Sequence, residues 1–177
     1  MNRSGIIKFR LLIILKDSSK TRVLINSLLN CEEFTFTVCN SIKDSVELIK
    51  KNEYEAILVG LDLPDSKYDD IRTFYELVLS LDTSKMLNIA FIILTEGSFE
   101  DKFGELEFRA LGFKAGAQDI FYMENIENKI DGLIRCIQDS TNRTKYIPHI
   151  KENVFFSKKQ DNLKSGVLIN LLNKLKG

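Results

Sequence analysis

Apolar residues fall into five short runs along the chain, and between the runs their spacing changes. The runs are Lys8 to Leu15, "FTFTVC" from Phe34, Ala56 to Leu61, Ile89 to Leu94 and a short one from Asp119 to Tyr122. The first, third and fourth are continuously apolar, as a parallel strand is when helices cover both of its faces. The second alternates, which places it nearer a sheet edge. Between the runs the apolar spacing becomes three and four. Leu24, Ile25, Leu28 and Leu29 share one helical face, and Ile42, Val46 and Ile49 another. Ile71, Phe74, Tyr75 and Val78 make a third face, Phe99, Phe103, Leu106 and Ala110 a fourth, and Ile130, Leu133, Ile134 and Ile137 a fifth. Ser19, Ser41 and Ser98 are expected to cap helices. Strand and helix therefore alternate five times, which predicts an α/β unit with a parallel sheet and helices on both sides.

After Asp139 the pattern stops. A polar stretch with Pro148 and an aromatic knot at Val154, Phe155 and Phe156 reads as a linker. "SGVLINLLNKLKG" then places Leu168, Leu171, Leu172 and Leu175 on one face of a last amphipathic helix. The expected organisation is one domain over residues 1–140 and a linker plus short helix over 141–177. For the leucine stripe, packing on its own domain or pairing with another copy is favoured over a membrane surface, because two lysines on so short a helix supply little attraction.

Composition changes this picture little. The chain has 177 residues, 44% hydrophobic and 28% charged, with a formal net charge of zero. It can bury a good core and carries no global field pointing to nucleic acid or membrane. Eight basic residues against two acidic ones make residues 141–177 positive and the body equally negative. Three widely spaced cysteines, Cys31, Cys39 and Cys136, fit neither a disulfide framework nor a CxxC site, and read as packed thiols in a reducing cytosol. "LLIIL" is too short to span a bilayer, so a soluble, cytoplasmic chain is expected. The one histidine, His149, has no positioned partner in the pattern. No glycine-rich phosphate loop and no metal-ligand spacing occurs, and neither enzymatic activity nor a cofactor is expected.

In open parallel sheets ligands bind beyond the carboxyl ends of the strands. Those ends are Lys16 and Asp17, Asn40, Gly60 to Asp62, Thr95 and Glu96, and Met123 and Glu124. Four segments there carry a resemblance: "LLIILKDSSKTRVLINSLL", "YEAILVGLDLPD", "FIILTEG" and "AGAQDIFYMEN". Together, and in this order, they resemble the receiver domain of two-component response regulators over about Lys8 to Asp139. The resemblance implies a flavodoxin-like, doubly wound five-stranded sheet of order 2-1-3-4-5.

It also implies where the receiver chemistry should sit. The family's acidic pair falls on Lys16 and Asp17, so one acid remains. The phosphoacceptor, four residues before the turn proline, falls on Gly60. The switch threonine is Thr95, the family lysine falls on Met123, and the switch aromatic on Ile120. Glycine has no carboxylate, so no aspartyl phosphate forms there. Magnesium needs several oxygen ligands, and Asp17 alone holds it poorly, so no magnesium site is expected. The chain reads as a degenerate pseudo-receiver, a signalling module independent of phosphorylation.

Docking is then expected through the family's fourth helix, fifth strand and fifth helix, at Phe99, Phe103, Ile120, Tyr122, Ile130 and Ile134. The partner would be a signalling protein or a second copy, with nucleic acid and membrane not expected. Two further readings stay open. Asp62 could accept phosphate from a rebuilt loop, although a shift of two residues moves the carboxylate ~6–7 Å. Alternatively, the emptied pocket around Asp17, Gly60 and Met123 could take a small molecule.

Overall fold

The computed structural model describes residues 8–61, 77, 80, 81, 88–96 and 102–146. Five strands form one all-parallel sheet: β1 (Phe9–Ile14), β2 (Phe34–Cys39), β3 (Ala56–Gly60), β4 (Ala90–Thr95) and β5 (Asp119–Tyr122). Their order is β2-β1-β3-β4-β5, as the resemblance implies. The described helices are α1 (Ser19–Leu29), α2 (Ile42–Lys51), α3 (Lys102–Ala115) and α4 (Ile126–Tyr146).

The strands separate by burial as their patterns predict. Every residue of β3 and β4 is buried, whereas in β2, at the edge, only Phe34 is buried and Thr35 and Val38 are exposed. Successive side chains on a strand point to opposite faces, and here they build two cores. Leu12, Ile14, Ile57, Val59, Phe91 and Ile93 face one side, where Ile49 of α2 and Ala115 of α3 complete the cluster. Leu11, Ile13, Leu58 and Ile92 face the other, against Leu24 and Leu28 of α1 and Leu133 and Ile137 of α4. Each fully buried large side chain contributes roughly 1.5–3 kcal/mol through area removed from water.

Local signals set the helix ends. The α1 cap is Ser18, one residue before the expected Ser19; its Oγ accepts from Thr21 N at 3.1 Å. Ser41 caps α2 as expected, accepting from Asp44 N at 3.0 Å. Helix α3 closes with two backbone bonds, Gly116 N to Phe113 O and Ala117 N to Gly112 O, both 3.0 Å. Gly116 carries φ 105°, a left-handed turn that glycine enters without steric cost.

Helix α4 continues to Tyr146. It therefore runs into the stretch that the loss of apolar periodicity marks as linker. The reason is chemical: Thr141 and Thr144 are buried there, and their Oγ1 atoms donate to carbonyls four residues back. Hydroxyls satisfied within their own helix can be buried although the hydropathy pattern reads polar. The third helical face, at Ile71 to Val78, lies outside the described residues, although the neighbouring Leu77 is fully buried in the first core. The Ser98 cap and the leucine-striped segment at 166–177 also lie outside them. Among the described residues, no helix is long and apolar enough to cross a membrane.

Candidate functional site

The parallel register brings the strand ends to one level. Ile14 pairs with Val59, Gly60 with Leu94, and Thr95 with Tyr122. Leu15 stays on the ladder, its N–H donating to Cys39 O at 3.0 Å, and Met123 N donates to Thr95 O at 2.8 Å. Leu15, Gly60, Thr95 and Met123 thus stand together where the crevice of such a sheet opens.

That crevice is apolar at its centre. Leu15 is 4% exposed and Met123 2%, both within the core that α1 and α4 cover. A Cβ added to Gly60 would collide with Leu15 Cδ2. The terminal methyl of Leu15 occupies the volume a side chain at residue 60 would require, so a larger residue there would have to displace it. Among the described residues, the expected pocket around Asp17, Gly60 and Met123 has the buried side chains of Leu15 and Met123 at its centre. Leu15 was not legible as a site residue, since it ends an apolar run and looks like one more strand position.

Charge lies at the rim. Asp17 is exposed and accepts from Arg22 Nε at 2.9 Å and Nη2 at 2.8 Å, a bidentate pair. The Arg22 guanidinium holds the Asp17 carboxyl below the usual carboxylate range, by hydrogen bonding first and Coulomb attraction second. Lys16 is half-buried, and its carbonyl accepts from Thr21 Oγ1 at 2.8 Å. Across the mouth, Ser18 Oγ donates to Glu96 Oε1 at 3.3 Å and Lys20 Nζ lies 3.5 Å from Glu96 Oε2. Since β3 lies between β1 and β4, this bridge from the start of α1 to the end of β4 passes over the end of β3. Thr95 is buried at 9% exposure beneath it.

Among the described residues, the donor set does not fit the magnesium that a working receiver crevice holds. Gly60 and Met123 offer no oxygen side chain, and Asp17 is tied to an arginine. Among the described residues, no group of three or more His, Cys, Asp or Glu is placed to bind a metal. Asp62 lies outside the described residues. None of the three cysteines is in a disulfide, and burial foremost pushes the Cys136 thiol up to about 12, which keeps it protonated and unreactive.

On the docking face the expected residues divide. Ile120 is 4% exposed and belongs to the core under α3, so its expected docking role is corrected. A Cβ at Gly112 would meet Ile120 Cδ1, which shows how closely α3 lies on β5. Tyr122, Ile130 and Ile134 are half-buried and pack on the cores. Phe99 lies outside the described residues, as do the side chain of Phe103 and Leu168, Leu171, Leu172 and Leu175.

Among the described residues, the large apolar side chains exposed on this face are Leu106, 65% exposed, and Phe113, 42%. They are seven residues apart on α3 and so share one face. Arg109 lies between them, its guanidinium carbon 5.8 Å from the Phe113 ring centre and 5.9 Å from that of Tyr122. The pattern places Leu106 on the apolar stripe; its outward direction follows from the rotation of α3 on the sheet.

No protein-family model matches the chain, and no curated protein matches it. Solved structures do. The signal receiver domain of a Vibrio parahaemolyticus protein assigned as a Luxo repressor superposes with a TM-score of 0.60 at 16% identity, over 78% of this chain and 93% of that one. The receiver domain of Francisella response regulator 1452 gives 0.54 at 21% identity, over 77% and 99%. The receiver domain of a Pseudomonas aeruginosa PAO1 sensor histidine kinase, which holds a magnesium ion in its active-site cleft, gives 0.56 at 18% identity, over 76% and 98%. At such identities the likeness establishes architecture, and the chain has the fold of response-regulator receiver domains.

Proposed function

We propose that this chain is a signalling module of the response-regulator type that works without phosphorylation, by docking to another protein. One observation carries the reading. The position of the phosphoacceptor is a glycine, and Leu15 packs where an acceptor side chain would stand. Three further substitutions agree with it: Lys16 for an acid, Met123 for the lysine and Ile120 for the switch aromatic. Phosphoryl transfer is a matter of positioning and charge neutralisation, and an apolar plug supplies neither. Output then rests on a standing surface, and the α3 face, with exposed Leu106 and Phe113 around a half-buried Arg109, supports that role, because aromatic and arginine side chains concentrate binding energy.

The test is incubation of the full chain with a small phosphodonor and magnesium, followed by intact mass measurement. No phosphoryl adduct is expected. An adduct lost in Asp62→Asn would overturn the reading in favour of an acceptor in the rebuilt loop. In a pull-down from the source cell, Leu106→Glu and Phe113→Glu are each expected to lose the partner while keeping the parent melting temperature.

A further inference from the structure

Helix α3 carries an outward apolar stripe. Leu106, Ala110 and Phe113 are all exposed, at spacings of four and three, so they lie on one helical face. A small residue between two large ones makes the kind of hollow into which a leucine of a second helix packs. Among the described residues, the other large exposed apolar side chains are Leu29 on α1 and Val38 on β2, one to an element. A row of leucines therefore has one matching row to meet among them.

The sequence supplies such a row in Leu168, Leu171, Leu172 and Leu175, which spans the same seven positions. Helix α4 leads toward the right place. Arg143 Nη2 lies 3.5 Å from Asp119 Oδ2, at the start of β5 and directly after the turn that closes α3. The end of α4 is thus near the Phe113 end of α3. Residues 147–167 separate Tyr146 from Leu168, a reach of up to about 70 Å when extended, whereas α3 is about 21 Å long. A tether of that kind holds its far end at a local concentration on the order of millimolar.

Charge sets the direction. Residues 96–107 contain five acids and one base, whereas residues 108–114 contain Arg109 and Lys114 and no acid. The leucine segment is uncharged from Ser165 to Asn173 and ends with Lys174 and Lys176. A parallel arrangement would bring those lysines beside Arg109 and Lys114. An antiparallel one brings them beside the acidic half of α3, where Glu107 forms no ion pair among the described residues. It also enters at the Phe113 end, the end that α4 approaches.

We propose that residues 166–177 dock as a helix on α3 of the same chain, antiparallel to it. Leu168 lies beside Phe113, Leu171 and Leu172 over Ala110, and Leu175 beside Leu106, with Lys174 and Lys176 toward Glu107. The contact does not depend on the proposed function. Where both hold, a protein that uses the α3 face has to displace the tail first.

Photocrosslinking of the full chain tests it. Phe113→benzoylphenylalanine is expected to link near Leu168 and Leu106→benzoylphenylalanine near Leu175, each within one chain. The two links exchanged would overturn the direction. Links elsewhere, or no link, overturn the proposal, and links between two chains replace it with pairing of copies. Leu171→Glu combined with Leu172→Glu should abolish both links. If neither labelled chain folds, hydrogen exchange of the parent and of that double variant decides, since both of its changes lie outside the described core. Amides of residues 104–114 should exchange several-fold faster in the variant, and equal rates overturn the proposal.

Discussion

Gly60 and Leu15 are neighbours, and the terminal methyl of Leu15 lies where a Cβ on residue 60 would stand. Gly60→Asp is therefore expected to destabilise the chain by about 1–3 kcal/mol, the cost of overpacking a filled site. Leu15→Ala alone should cost about 2–5 kcal/mol, as buried leucines do. In the Gly60→Asp background the same change should cost much less, because the aspartate gains room. Denaturant unfolding of the four chains measures this, and costs that simply add would show that Leu15 is not the obstacle. A second residue-scale consequence concerns pH. Asp17 has its folded pKa depressed by Arg22. Its contribution to stability is therefore complete above the unfolded value of about 3.9 and is lost as pH falls through the lower folded value. Melting curves of Asp17→Asn should converge with those of the parent below that window and lie under them above it. The gap should be small, because the pair is exposed and screened.

At the scale of elements, the ends decide more than the middles. The α3–β5 turn depends on Gly116 at φ 105°, so Gly116→Ala is expected to cost about 1–3 kcal/mol, read as a lower denaturation midpoint with an unchanged slope. Substitution at Gly132 should cost far less, since a Cβ there meets only Phe121 at ordinary contact distance, 3.8 Å. The apolar pattern located all five strands and the four described helices. It missed the last six residues of α4, where Thr141 and Thr144 are buried by satisfying their hydroxyls within the helix. Hydropathy counts such residues as polar and has no means to see the bond.

For the whole molecule, two cores on either side of one sheet share β1, β3 and β4, so both should be lost in a single cooperative transition. Helix α4 covers one of them and ends at Tyr146. A chain ending at Ser140 is accordingly expected to unfold about 1–3 kcal/mol more easily than one ending at Tyr146, measured by chemical denaturation of both. Equal stabilities would mean that the last turns of α4 hold nothing in place. Any experiment that removes the basic tail should therefore cut after Tyr146 and not at Thr141.

The order of apolar runs and their switch between strand and helix spacing were enough to determine the sheet and its helices. Those are one-dimensional facts, because periodicity and residue identity survive in the bare chain. What fills the crevice was decided only in three dimensions. Leu15 and Gly60 lie 45 positions apart, and the pairing of β1 with β3 makes them neighbours. The same holds for Ile120, drawn inward by the close seat of Gly112, and for Leu106 and Phe113, turned outward by the rotation of α3. Burial is a property of what lies opposite, and a sequence does not record its opposites.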